Sequence, residues 1–480
     1  MSHPMKPESS ERLAAALTRA CSTPRPPLPL ALRQAMRSLL VVPAILFFLG
    51  AAVAQNGDAA PAAGSTAASS QPPSSSKAPQ DSSSADVKAP EGGIPDQVTF
   101  GGTIEGRFDS NEPGASGGQA GFSYRVAPHV TFQRTRQRYN FFASYAPEWM
   151  RDRLFGLRNY FDQAASATLQ VQPVNHWQLT FRNDYLVSTD TGTGLSHAAQ
   201  PPIVTPNGGV LFDARRTTEN GSAELDGELS PHTAVGFSGS YLSRHFSSVT
   251  GAAVPLINSR MVLGRGWIAH RFSPRNTVGV MYTAQKLQLQ QLTEASTFTH
   301  TIFATYQLQV TPRQKLQVFG GPEFSQVHDQ LVLDLGLFVA EIPIRTSHWS
   351  EAGGASYSWK GERNHASATF LRTISDGGGI LGVARVNSVA VEVGRQLNAD
   401  WDANIGSSYI VSRTLLVSQS GRYRTAVVTA DLSRRLTSDI TLETAYQYIY
   451  QNEGQLLGLP VDHHRVFVRL NFNFKRMLGR

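Results

Sequence analysis

The fold is decided by two stretches, ITLETAYQYIY at Ile440–Tyr450 and VFVRLNFNF at Val466–Phe474. Successive side chains of a β-strand point to opposite faces, so the alternation predicts two strands, each with one apolar-aromatic face. The opposite face carries the polar residues Glu443, Gln447, Arg465, Arg469, Asn471 and Asn473. This pattern fits a soluble sandwich with an apolar core, and it equally fits a membrane barrel with lipid outside and a polar lumen. The rest of the chain must distinguish the two.

Composition argues for one repetitive body rather than several domains. Charged residues make up 16% of the 480 residues, whereas about a quarter is usual. The formal charge of +7 is unevenly spread, because residues 1–54 carry six cations and two acids, which leaves +3 for residues 55–480. So small an excess predicts no basic surface and therefore no nucleic-acid partner.

Residues 36–54 predict a secretory signal peptide. Met36-Arg37 supplies the charged start, Leu39–Val53 the apolar core, and the A-x-A sequence that ends at Ala54 places cleavage before Gln55. The alternative is an uncleaved anchor, but the apolar run is shorter than the roughly 20 residues that a spanning helix needs. The sequence therefore favours a secreted chain.

The segments on either side of the signal are predicted to be disordered. Residues 1–35 form an N-terminal extension, with translation starting at either Met1 or Met36. They hold Cys21, the single cysteine, so the processed chain should form neither a disulfide nor a thiolate metal site. Residues 55–96 are rich in Ala, Ser and Pro, a composition that cannot bury a core and is typical of a linker.

Residues 97–474 repeat a unit of two long strands, one short turn and one longer loop. Similar turns recur along the chain, at Gln172–Asn175, Ser230–His232, Ser273–Asn276 and Thr311–Gln314, and each precedes an alternating strand. Proline suits these turns because its φ is fixed and it needs no ladder partner. A β-propeller has a similar period, but its blades have four short strands, whereas these strands reach the length that crosses a membrane at a tilt.

The sequence therefore predicts an all-β fold, a transmembrane antiparallel up-and-down β-barrel of about 18 strands, with 16 as the alternative count. At this point the chain resembles bacterial outer-membrane β-barrel proteins of the porin-like kind. In that family the last strand ends on an aromatic residue that the outer-membrane assembly machinery reads, and Leu470, Phe472 and Phe474 look like that signal. The sequence departs from the family pattern because residues 475–480 follow as a tail and the signal's usual glycine is missing.

Charged residues inside the predicted strands indicate the polar lining of a lumen. A charge on the lipid face near the midplane would cost roughly 2–4 kcal/mol, so these residues should face inward. The predicted lumen-lining residues are Glu105, Arg107, Arg125, Arg182, Asp184, Glu224, Asp226, Glu392, Glu443, Arg465 and Arg469. They either pair with one another and only solvate the interior, or they line a wet pore and bias which solutes pass.

The sequence predicts no catalytic, cofactor or metal site. Gly114–Gly118 matches G-x-S-x-G, but the nucleophile elbow needs a strand-to-helix turn, and here the motif lies in a loop between strands. His463-His464 has no third ligand nearby in sequence and is interpreted as an exposed pair at a loop end. Two long loops are expected, a polar one at Thr189–Thr217 and an apolar one at Gln330–Thr346 that should pack against something.

These observations favour a passive channel for small hydrophilic solutes in the outer membrane of a Gram-negative-type bacterium, and not an enzyme. Its expected partners are outer-membrane lipid, the assembly machinery and the solutes, and the barrel is either a monomer or a homo-oligomer. Two alternatives stay open. One is an export barrel for a secreted polysaccharide, and the other is a structural or adhesive barrel with a plugged lumen.

Overall fold

The computed structural model describes ten ranges of the chain: 96–112, 119–152, 159–190, 213–247, 257–290, 295–334, 339–375, 382–416, 421–452 and 461–478. The predicted extension and signal peptide, the predicted linker up to residue 95, and the Gly114–Gly118 motif lie outside these residues, whereas Asp96, the last residue of the predicted linker, begins β1. Within the described ranges no helix is long and apolar enough to cross a membrane.

The described residues form 18 strands in a single antiparallel sheet. The first nine are β1 Asp96–Glu112, β2 Gln119–Thr135, β3 Tyr139–Asp152, β4 Asn159–Val174, β5 Trp177–Asp190, β6 Asp213–Ser230, β7 Thr233–Ser247, β8 Asn258–Ser273 and β9 Asn276–Gln290. The others are β10 Ala295–Thr311, β11 Gln314–Asp334, β12 Val339–Lys360, β13 Asn364–Ser375, β14 Ala384–Gln396, β15 Trp401–Thr414, β16 Arg422–Arg435, β17 Ile440–Asn452 and β18 Val461–Leu478.

The sheet closes on itself because the first strand pairs with the last. Every strand pairs with its neighbours in sequence, and β1 pairs with both β2 and β18, from Asp96 opposite Leu478 to Asp109 opposite Arg465. Closure gives every strand two paired neighbours, which a bilayer requires since it offers backbone groups no water. The outer part of the β11–β12 hairpin extends beyond its neighbours, since β12 pairs with β13 from Gly353 to Lys360. The closed 18-strand antiparallel barrel confirms the predicted fold class and the strand count.

The two ends of the barrel differ in their connections. The described turns, such as those at Asn175-His176, Pro231-His232 and Pro274-Arg275, all join an even strand to the following odd one. The start of β1 and the end of β18 lie at this same end, which is the periplasmic end in barrels of this architecture. The opposite end, here called the outer end, carries the longer connections.

Exposed apolar side chains form a belt on the outward face of the sheet. On β14, for example, Val389, Val391 and Val393 are about half exposed, and the residues between them are less accessible. Similar alternation brings Phe100, Ile104, Phe108, Phe237, Tyr241, Val280, Tyr282, Ile302, Val466 and Val468 to the same outward face. An outward belt of this kind suits contact with lipid.

Three boundaries differ from the sequence-based expectations. The predicted loop Gln330–Thr346 is mostly strand, because β11 and β12 stay paired up to Asp334 opposite Val339, and this pairing satisfies the backbone of a hairpin that extends past β10. His464 is not at a loop end but inside β18, where its Nδ1 lies 2.7 Å from the Tyr446 hydroxyl. Strand β18 also continues beyond Phe474 to Leu478, opposite the start of β1.

Candidate functional site: the interior wall of the barrel

A ladder of alternating charges runs across the interior where the barrel closes. Glu443, Arg469, Glu105 and Arg125 lie directly opposite one another on β17, β18, β1 and β2. Arg469 donates from Nε to Glu105 and from Nη1 to Glu443 Oε1, the latter at 2.9 Å, and Arg125 Nη1 is 3.8 Å from Glu105 Oε2. Each guanidinium therefore lies between acids, and the ladder is held by charge-assisted hydrogen bonds.

Further charged pairs continue this ladder towards the outer end of the barrel and onto β3. Arg465 donates to Asp109 Oδ2 at 2.6 Å, with both side chains almost fully buried. Arg125 Nε lies 2.8 Å from Glu148 Oε1, and Arg107 donates to the Ser123 hydroxyl at 3.0 Å. We call the eight charged residues Glu105, Arg107, Asp109, Arg125, Glu148, Glu443, Arg465 and Arg469 the seam network. It contains four acids and four arginines, so it carries no net charge.

The remaining predicted lumen residues lie on the interior face of β5, β6 and β14. Arg182 donates to Asp184 through two bonds, of 2.7 and 3.1 Å. Glu224 lies opposite Ser238 of β7, which in turn lies opposite Arg265 of β8. These charges are spread along the wall, and their role in selecting solutes stays a prediction.

Asp226 and Glu392 complete the predicted set, and both lie near the periplasmic end. Asp226 is opposite Gly236, and a Cβ on that glycine would lie 2.3 Å from Trp267 Nε1 and 2.6 Å from Asp226 Oδ1. Only glycine therefore leaves room for the indole to lie over the strand at this position. Glu392 Oε1 is 3.9 Å from His365 Nε2, a long contact between partly exposed side chains.

The opposite part of the interior wall is largely apolar, a feature that the sequence did not reveal. Trp267, Met281, Phe303, Phe319 and Ala352 form a buried cluster on β8 to β12. Above it lies a polar row, in which Arg265, Thr283, Thr301, Glu323 and Ser350 lie opposite one another. The interior is therefore polarised, with ion pairs on the closing strands and alternating apolar and polar layers across from them.

A second apolar cluster, here called the mouth cluster, lies at the outer end. Its buried members are Ile257, Leu287, Leu289, Ala295, Val327, Ile374, Val383 and Leu416. Gly382 lies among them, since a Cβ placed on it would be 2.7 Å from Leu416 Cδ1 and 2.9 Å from Leu289 Cδ1. Strands β10 to β13 separate Leu289 on β9 from the β13–β14 connection in the sheet. Gly382 and Val383, the described end of this connection, therefore lie inside the barrel against Leu289.

Sequence reasoning found six of the eight residues of the seam network and missed Asp109 and Glu148. Both follow the alternation that identified Glu105 and Arg107, so the same period, extended towards the outer ends of β1 and β3, would have included them. Among the described residues, no group of three or more His, Cys, Asp and Glu side chains is placed to hold a metal ion.

Several solved structures are similar to this chain. OccAB4 of Acinetobacter baumannii is 11% identical with a TM-score of 0.42, over 81% of this chain and 100% of that one. OpdQ of Pseudomonas aeruginosa is 10% identical with a TM-score of 0.41, over 79% and 99%. The siderophore receptor PiuA of Acinetobacter baumannii is 8% identical with a TM-score of 0.44, over 78% and 82%. No family model matches the sequence, and no curated protein matches it.

The chain's own geometry identifies the kind of barrel. An even number of antiparallel strands, full closure, an outward apolar belt and short turns at the end that carries both chain termini are the features of outer-membrane barrels. The chain is a closed 18-strand antiparallel β-barrel of the transmembrane architecture.

Proposed function

We propose that the barrel is a channel through which small hydrophilic solutes diffuse across the outer membrane. The observation that carries the proposal is the division of polarity between the two faces of one sheet. The outward face is an apolar belt, whereas ion pairs and single charges line the interior face of the closing strands. A barrel of this strand number encloses more space than wall side chains alone fill, which favours an aqueous path.

The seam network makes a specific contribution to this proposal. Because its acids and arginines balance, the closing strands present fixed dipoles rather than a field of one sign. Beside these strands the wall should therefore favour solutes that are hydrophilic, without selecting for the sign of their charge. The outlying Arg182 and Asp184 have side chains 20% and 25% exposed, against 3% and 2% for Arg465 and Asp109 of the seam network. They are therefore more accessible to an ion in the lumen than that buried pair.

Planar bilayers test the proposal directly. Purified protein should give stable ion-conducting steps. The double variant Arg182→Ala with Arg469→Ala should shift the reversal potential towards cations, since Asp184 and Glu443 then lose their paired arginines and Glu105 keeps only Arg125. Arg434→Ala is the matched control, because Arg434 lies over the Trp401 ring on the outward face. The proposal would be overturned if neither the folded wild-type protein nor a folded variant with a disrupted mouth cluster conducts ions.

The mouth cluster supports a second candidate, a barrel whose outer mouth is closed at rest. Ile257, Leu287 and Val383 are essentially inaccessible, although Leu287 lies on the interior face of a wall strand. Such side chains are covered by apolar neighbours rather than by lumen water. If wild-type protein is silent and a variant with a loosened mouth cluster conducts, the closed-mouth candidate is the better description.

A further inference from the structure

Three arginines lie in one row across neighbouring strands near the outer end of the barrel. Arg385 of β14 is directly opposite Arg413 of β15, and Arg413 is directly opposite Arg422 of β16. Arg424, two residues further along β16, adds a fourth cation beside the row. Like charges directly opposite each other destabilise a sheet, so an anion beside Arg413 and Arg422 would stabilise this part of the wall.

Arg413, Arg422 and Arg424 belong to the outward face of the barrel, whereas Arg385 is partly buried and interacts electrostatically with the interior Glu323. Along β15, Arg413 shares its face with Ile405 and Tyr409, which are 40% and 46% exposed, and along β16 the two arginines share a face with Val428. The interior-facing neighbours Ser412, Tyr423 and Thr425 are buried. The arginines therefore lie directly above the apolar belt, towards the outer end of the barrel.

No described carboxylate neutralises the exposed part of the row. Glu351 of β12 is already paired with Arg372 of β13, at 2.8 Å, and is therefore engaged elsewhere. Among the residues that the structure describes, Arg413, Arg422 and Arg424 make no ion pair with an acid. Three exposed guanidinium groups are therefore available to a ligand outside the barrel.

We propose that Arg413, Arg422 and Arg424 bind the phosphate groups of a phosphorylated glycolipid in the outer leaflet. Guanidinium groups bind phosphate oxygens through paired hydrogen bonds, and adjacent arginines can hold one phosphate from two sides. The acyl chains of such a lipid would lie along Val389, Val391 and Tyr409, which continue the same face towards the membrane centre. The headgroup and the chains thus match two surfaces that are continuous on the barrel.

The site takes a lipid rather than a solute in transit because it faces away from the lumen. A free phosphate would meet the same guanidinium groups but would gain nothing from the apolar belt below them. This inference goes beyond the proposed channel and does not depend on whether the barrel conducts.

Retention of a defined lipid tests the site. Full-length protein in neutral detergent is incubated with diphosphorylated lipid A, and the bound lipid is counted by native mass spectrometry. The variant Arg413→Gln with Arg422→Gln should retain at least about fivefold less lipid A than wild type. The control variant Arg395→Gln with Arg434→Gln, which removes outward cations near the periplasmic end, should retain as much as wild type.

Two further arms separate the sources of phosphate and guard against a folding defect. Lipid A without phosphates should bind no better to wild type than to the double variant, and inorganic phosphate at the same concentration should not displace the lipid. Lipid A should raise the melting temperature of wild type but not that of the double variant, which should be at least as stable as wild type in detergent alone because it has lost like-charge repulsion. Equal lipid retention by both proteins, or full displacement by inorganic phosphate, would overturn the proposal.

Discussion

Gly382 is the residue on which the mouth cluster depends most directly. Its φ of 62° lies in the left-handed region, which costs other residues about 1–2 kcal/mol. A Cβ there would also lie within 3 Å of Leu416 and Leu289. We therefore expect Gly382→Ala to displace the β13–β14 connection and to raise the conductance, or the frequency of opening, in planar bilayers.

Gly264→Ala is the matched control for this substitution. Gly264 is an exposed glycine within β8, and a Cβ added to it would have no other atom within 4 Å. If Gly382→Ala and Gly264→Ala give the same conductance as wild type, the mouth cluster does not control access to the lumen.

Residue identities could be predicted from sequence only where one face was apolar and the other polar. Arg465 and Arg469 were identifiable because they alternate with Val466 and Val468. On β9 the interior Met281 and Leu287 alternate with the outward Val280 and Tyr282, so both faces are partly apolar. The sequence pattern therefore does not show which face of this strand points into the barrel. The mouth cluster was invisible for a further reason, since it joins residues that are far apart in sequence.

At the scale of elements, the pairing of β1 with β18 depends on buried charges. Glu105 is 3% exposed and contacts both Arg469 and Arg125, so Glu105→Gln removes the acid that joins two guanidinium groups. Removing one partner of a buried ion pair typically destabilises by about 3–5 kcal/mol. We expect a loss of that order in the free energy of unfolding, measured by urea titration in lipid vesicles.

Glu228→Gln provides the comparison for this loss. Glu228 Oε2 also lies beside a basic side chain, 3.3 Å from His176 Nδ1, but both side chains are more than half exposed at a periplasmic turn. An exposed pair is worth only about 0–1 kcal/mol, because water and salt screen it. A loss for Glu105→Gln no larger than that for Glu228→Gln would show that the seam network does not hold the barrel closed.

The number of strands was predictable, whereas their lengths were not. Turn residues such as Pro231 and Pro274 mark one end of each hairpin, so counting turns counts strands. Strand ends at the outer end carry no such signal. The β11–β12 hairpin shows this, since the apolar stretch after Gln330 reads as a loop by position but is paired as strand up to Asp334.

At the scale of the whole molecule, consecutive residues of one strand should face different media, lipid on the outside of the barrel and water on the inside. Val391 of β14 is 45% exposed on the outward belt, whereas the next residue, Glu392, lies on the interior face with a side chain 29% exposed. In a lipid-embedded open barrel, a membrane-impermeant thiol reagent should label Glu392→Cys and leave Val391→Cys unlabelled. Because strand side chains alternate, a one-residue error in the register would exchange the two results.

Both variants are made with Cys21→Ser, which removes the single native cysteine, and both should label fully after denaturation. Labelling of Val391→Cys in intact vesicles would mean that this face is not covered by lipid. Protection of both positions in the folded protein would mean that water does not reach the interior wall at Glu392. That outcome would contradict an open channel even if the barrel is in the membrane, because Glu392 lies near the periplasmic end, away from the mouth cluster.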